Sequence, residues 1–242
     1  MKYIDLKVRS LNLRKIFISV EVMGNYIIAI DGPAASGKST TAKGLAKLLN
    51  YTYIDTGAMF RAVALAILEE NIDYQNEENL NELLNSINIE FRLIKEVQNI
   101  FLNGVNVSDK IRLPEVTKLS SIIATYPAVR SKLLELQREF GKNGRIIMDG
   151  RDIGTVIFPN ADFKFFLTGS TRIRAERRWK ELNDPNVSLE EIEEDLIWRD
   201  KNDSSRSIAP LQKAVDAYEV DTNDMSVEEQ VNYLYRIIED KR

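Results

Sequence analysis

The chain has 242 residues, 44% of them hydrophobic and 29% charged, close to globular averages and unlike collagen, coiled coil or a disordered chain. It contains no cysteine and no histidine, which excludes disulfides, thiolate or imidazole catalysis and zinc sites of the Cys/His kind. A net charge of -4 argues against broad nucleic-acid coating, and apolar runs such as residues 62–68 are far shorter than the roughly 18 residues of a membrane span. A cytoplasmic protein with neither nucleic-acid nor membrane partner is the expectation.

Residues 1–25 fit the rest poorly and are read as an N-terminal extension without an assigned role. They hold a strand-like stretch over 15–22, just before a stronger one at 26–31. An added edge strand, a loose arm, and sequence upstream of a natural start at Met23 all remain open.

YIIAID, residues 26–31, has the nearly continuous apolar, β-branched pattern of a strand covered on both faces. It runs into Gly32, Pro33, Ala34, Ala35, Ser36, Gly37, Lys38, Ser39 and Thr40, which satisfy G-x-x-x-x-G-K-[ST]. Residues 39–50 follow with Ala42, Leu45, Ala46 and Leu49 on one helical face. Strand, glycine loop and helix in that order turn backbone N–H groups and the positive helix end toward one place, where a polyphosphate fits. Lys38 can reach its terminal phosphates and the Ser39 hydroxyl can meet Mg²⁺.

A short strand is expected at 53–55, then a partly apolar helix opening TGAMFRAVALAILEE. Arg61 on that helix reads either as an anion-binding arginine in a cleft or as a solvated surface residue. Residues 71–120 differ in character: a short helix at ENLNELLNSI, strands at IEFRLI and NIFLNG, a hairpin turn at Asn103-Gly104, and a helix from Pro114. This block is either a lobe that grips a substrate or a stabilising excursion. RIIMD at 145–149 returns to the main sheet and ends in Asp149, a candidate second oxygen at the metal and phosphate site or a turn acid. Arg151 and Asp152 follow at the carboxyl edge, where open α/β sheets bind ligands. FKFFL at 163–167 is the next core strand.

The net charge conceals a basic block. TRIRAERRWKEL reads as a helix, Ser188 and Glu191 form a capping box for SLEEIEEDLIWRD, and RDKNDSSRS packs Arg199, Asp203 and Arg206 together. Two arginine-bearing helices joined by a polar bend suggest a lid over phosphate, with Arg172 on a solvated face. A strand at 217–221 and a second capping box, Ser226 with Glu229, precede a last helix. Five strands alternating with helices argue for a three-layer α/β fold around a parallel sheet.

IDGPAASGKST, YIDTGAMFR, MDGRDIGTVIFP and RDKNDSSRSIAPL, in this order and spacing, resemble bacterial cytidylate kinases over about residues 26–240. The resemblance implies a P-loop NTPase fold in which residues 26–242 form the kinase domain, with an acceptor-binding insertion at about 71–120 and a helical LID at about 171–206. It implies ATP with Mg²⁺ as phosphoryl donor, CMP or dCMP as acceptor, and a monomer. It assigns Arg61, Arg130 and Arg151 to the CMP phosphate or base, Ser121 and Asp152 to cytosine, Asp203 to the pentose hydroxyls, and Thr56 to the acceptor site. Lys38, Arg151, Arg199 and Arg206 become the catalytic set. Phe60 stands where the family commonly has tyrosine, so a contact needing that hydroxyl is absent. A kinase of another small molecule, a nucleotide-hydrolysing switch and a noncatalytic nucleotide-binding module are the competing classes.

Overall fold

A computed structural model describes residues 24–95 and 97–241, so the strand-like stretch at 15–22 lies outside the described residues. Strands β1 (Ile27–Asp31), β2 (Thr52–Asp55), β6 (Ile146–Gly150), β7 (Phe163–Thr168) and β8 (Tyr218–Asp221) form one sheet in the order β2-β6-β1-β7-β8, every pair parallel. The alternation expected of strands covered on both faces is visible residue by residue. Ile28 and Ile30 face one apolar core together with Ile147, Phe163, Phe165 and Leu167. Ala29 faces another, with Ile54, Ile146 and Met148.

Helices α1 (Lys38–Leu49) and α8 (Val227–Asp240) cover the first face through Leu45, Leu49, Leu234 and Ile238. The second face is covered by α2 (Thr56–Glu69), α4 (Pro114–Ile123) and α5 (Pro127–Gly141). This is the expected three-layer α/β fold with a five-stranded parallel sheet. Helix α2, expected to be only partly apolar, is buried over most of its surface: Thr56, Ala58, Met59 and Ala62 through Ile67 are all buried. Its small residues let it run between the sheet and the segment that follows, so it is wrapped on nearly every side.

Residues 71–120 contain α3 (Glu77–Ser86) and an antiparallel sheet of β3 (Ile89–Ile94), β4 (Val97–Leu102) and β5 (Val105–Asn106). Asn103 and Gly104 both take positive φ, 49° and 80°, as a two-residue hairpin turn requires. Leu80, Leu83, Ile89, Ile100 and Leu102 join the core of α2, so the excursion shares that helix's apolar centre.

Helix α5 has no counterpart among the expected elements, although Pro127 at its first turn and the buried Val129 and Leu133 are its signals. Helix α6 (Thr171–Leu182) matches expectation, and the capping boxes at Ser188 and Ser226 both form. The helix after Ser188, α7 (Leu189–Ser205), runs through the stretch expected to follow it, so Arg199 and Asp203 lie on its last turns. Arg172 is half-exposed, as expected, and ties α6 to α7 through Glu193 at 2.9 Å and Glu190 at 3.4 Å. Among the described residues no helix is long and apolar enough to cross a membrane.

Candidate active site

The carboxyl ends of β1, β2 and β6 lie side by side, with Ile30 and Asp55 each paired in register with Asp149. The loop after β1 is shaped by backbone that side chains resist. Gly32 has φ 146° and would place a Cβ 2.1 Å from the Leu167 carbonyl oxygen, while Gly37 enters α1 at φ 90°. Ala35 adopts φ 57° between them. The buried Lys38 folds back inside this loop, its Nζ donating to Pro33 O at 2.5 Å and to Ser36 Oγ at 3.4 Å. Burial and then the Arg151 guanidinium bring its pKa down to about 7.

Ser39 Oγ donates to Asp149 Oδ2 at 2.7 Å, Tyr53 OH donates to Asp149 Oδ1 at 2.8 Å, and Thr56 Oγ1 donates to the Asp149 carbonyl at 2.8 Å. Burial, reinforced by the neighbouring Asp55, pushes the Asp149 carboxyl up to about 6, against the pull of Lys38 and its two hydroxyl donors. Asp149 is thus a strand residue built into the phosphate loop's floor and not a turn acid. Thr40 is exposed on the first turn of α1.

The remaining candidate residues form charged pairs nearby, with Arg151 and Asp203 close enough to act on the Lys38 charge. Arg61 is mostly buried and pairs with Asp55 at 3.1 Å, so it is not the solvated arginine that spacing alone allows. Arg151 Nε donates to Asp203 Oδ2 at 2.7 Å. Burial raises Asp203, but Arg151 and Arg206 outweigh it and hold the carboxyl below its usual range. Arg206 Nε donates to the Asp203 carbonyl at 3.2 Å. Arg130, on α5, forms a buried ion pair with Asp152 and lies 5.7 Å from the Phe60 ring. Ser121 is buried on α4, and its carbonyl accepts from Asn202 of α7 at 3.1 Å.

Three guanidinium nitrogens in this cleft, Arg61 Nε, Arg199 Nε and Arg206 Nη2, are buried without a hydrogen-bond partner. Burial lowers the pKa of Arg199 and of Arg206, and the Arg151 charge adds to the lowering in both. Buried guanidinium donors without a protein partner are groups whose hydrogen bonds an anionic acceptor can complete.

Four residues of this site receive no site role from the sequence, although Arg174 and Asp200 belong to its charged block. Tyr53 and Asp31 hold β6 and the loop after it. Arg174 of α6 donates from Nη1 to Ala34 O at 2.8 Å and pairs with Asp200 of α7 at 2.6 Å. Asp200 in turn accepts from Ala34 N at 3.3 Å, so both α6 and α7 are tied to the loop after β1. These contacts span 26 to 166 positions of sequence. The only local signal is a run of alternating charge.

Residues 28–240 match the family model described as cytidylate kinase. A cytidylate kinase of Bacillus cytotoxicus is 50% identical over 213 residues, covering 87% of this chain and 95% of that protein. One of Bacillus cereus strain B4264 is 49% identical over the same shares. A crystal structure of an uncharacterized protein from Eubacterium ventriosum, 14% identical, covers 90% of this chain and 100% of its own with a TM-score of 0.50, a likeness of fold alone. With most of its length matched by the family model and half of the aligned positions identical to a curated member, this chain belongs to the cytidylate kinase family.

Proposed function

We propose that this protein transfers the terminal phosphoryl group of ATP to the phosphate of CMP or dCMP, giving ADP and CDP or dCDP. The observation that carries the reading is the opposition of two anion sites. On one side lie the phosphate loop, Lys38 and Ser39. On the other lie Arg61, Arg151, Arg199 and Arg206, three of them with buried donors unpaired.

An oxygen of the acceptor's phosphate attacks the γ-phosphorus of ATP, the bond from that phosphorus to the β–γ bridging oxygen breaks, and ADP leaves. The acceptor phosphate has a second pKa of about 6, so it is already an anion near neutral pH and needs no general base. What the protein supplies is alignment and charge. Residues 32–40 cradle the donor phosphates, and Lys38 takes its full charge against them. Arg199 and Arg206 close on the group in transit from α7. Arg61 and Arg151 hold the acceptor phosphate, Asp203 takes the pentose hydroxyls, Thr56 supports the acceptor site, and Asp152, Arg130 and Ser121 read cytosine.

The donor set fits Mg²⁺: the Ser39 hydroxyl and the Asp149 carboxylate are hard oxygen ligands 2.7 Å apart at the helix end. Held there by Ser39 and Asp149, the ion would supply neutralisation of the donor phosphates' charge. Tyr53 and Thr56 hold Asp149 in place for it.

An ADP-release assay with ATP-Mg²⁺ against CMP, dCMP, UMP, AMP, GMP and shikimate tests the reading. Turnover is expected with CMP and dCMP. Comparable or greater rates on AMP or shikimate, with CMP inert, would overturn it.

A further inference from the structure

After β6 the chain passes through Arg151 and Asp152 into a wide helical turn, Ile153–Ile157, in which Ile157 N donates to Asp152 O at 3.2 Å and Phe158 N to Ile153 O at 2.7 Å. Such a turn begins with amides that have no partner inside it. Asp152 stands at the capping position, where an aspartate ordinarily accepts from an amide two or three residues on. Its side chain makes no such bond.

The first amides of the turn are met from elsewhere. Ile153 N donates to Asp31 Oδ1 at 2.8 Å and Gly154 N to Asp31 Oδ2 at 2.7 Å, across 122 and 123 positions of sequence. Asp31 is the last residue of β1, the next residue being Gly32 of the phosphate loop. Both Asp31 and Asp152 are 4% exposed. The approach is tight: a Cβ on Gly154 would sit 3.3 Å from Asp31 Oδ2 and 3.1 Å from Lys164 Cδ. With the turn capped across the sheet, the Asp152 carboxylate is left to pair with Arg130.

We propose that Asp31 is a positioning residue for acceptor recognition, capping the turn after β6 in place of Asp152 and thereby keeping the Asp152 carboxylate in the acceptor site. The inference rests on the cytidylate kinase reading above. Without Asp31 the orphaned amides compete for the Asp152 carboxylate, which stands at the turn's own capping position. Withdrawal of Asp152 weakens binding of the acceptor base and leaves the phosphate loop's own contacts in place.

The test is Asp31→Asn. Its amide offers one acceptor oxygen, and its NH₂ group would face an amide N–H. Wild-type turnover of CMP is measured first, since its absence overturns the kinase reading and this inference with it. In the variant, KM for CMP should rise about tenfold and the CMP-to-UMP efficiency ratio should narrow, with KM for ATP within about twofold of wild type. Added to Asp152→Asn, the substitution should change that ratio little further, because both act through one carboxylate. Equal rises in the two KM values, an unchanged KM for CMP, or independent effects in the double variant would overturn the proposal. Should the variant not fold, amide hydrogen exchange on the wild-type protein decides. Ile153 and Gly154 should exchange as slowly as the strand amides of β6, and exchange at the rate of open loops would overturn it.

Discussion

The Arg130–Asp152 ion pair is the contact on which the proposed base specificity rests. Its side chains are 11% and 6% exposed, so each buried charge is offset by the other. Burial pushes Asp152 upward in pKa, opposed first by Arg130. Cytosine offers an amino group that a carboxylate can accept from, whereas uracil presents a carbonyl at the same place. That mismatch of two acceptors costs about 1–3 kcal/mol or more when desolvated. Asp152→Asn should therefore lower kcat/KM for CMP and narrow the CMP-to-UMP ratio, with Ser121→Ala acting less in the same direction. An unchanged ratio in the Asp152 variant would remove it as the base reader. Asp31 adds a pH dependence. Burial, and to a lesser degree Asp152, pushes its carboxyl from 3.8 up to about 7, against the two amides and Lys38, while the Lys164 chain packs beside Gly154. A raised pKa means that the folded state holds the proton more tightly than the unfolded chain. The stability from that proton is complete below about pH 4 and is lost as pH rises toward 7. Asparagine carries no such proton, so the melting temperature of wild type minus that of Asp31→Asn should fall between pH 5 and pH 8, and a flat or rising difference would contradict the assignment.

Helix α7 carries neighbouring residues to partners far away in sequence, Asp200 to Arg174 and Asp203 to Arg151. Arg199, Asp200, Asp203 and the capping Arg206 lie on its final turns and beyond, each facing a different part of the cleft. Its length was not legible because RDKNDSS has no apolar periodicity. The helix is continued there by ion pairs to Arg151 and Arg174, which are tertiary contacts. By contrast, the strand-loop-helix around Lys38 was legible because its geometry is written in adjacent residues, as were both capping boxes. Helix α5 carried its signals locally too, in Pro127, Val129 and Leu133, yet its role depends on Arg130 meeting a residue 22 positions on. Arg199 and Arg206 each present a buried donor with no protein partner, which the proposed reaction would direct at a phosphate. Arg199→Ala or Arg206→Ala should accordingly cut turnover at saturating substrates by about tenfold or more while changing the melting temperature by only a few degrees. Thermal scans and steady-state kinetics on the same preparations separate this from a structural role, which would show lost stability with normal turnover per folded molecule.

Across the whole molecule, a net charge of -4 coexists with a cleft where Arg61, Arg151, Arg199, Arg206 and Lys38 converge. Asp55 and Asp203 offset part of this positive charge, but Arg61, Arg199 and Arg206 keep buried donors unpaired. A fold that carries such a deficit is stabilised by whatever supplies the missing acceptors. Mass action gives about 2.7 kcal/mol for a ligand at 100 times its Kd. For a chain of this size that corresponds to roughly 5–10 °C in melting temperature. CMP should therefore raise the melting temperature by about that much. Inorganic sulfate, compared with chloride at matched ionic strength to separate binding from screening, should raise it less but in the same direction. Cytidine brings the base without the phosphate and should raise it least. If cytidine stabilises the protein as well as CMP does, the arginines of this cleft do not hold the acceptor phosphate, and the group that anchors the nucleotide must lie on the base side with Asp152 and Arg130.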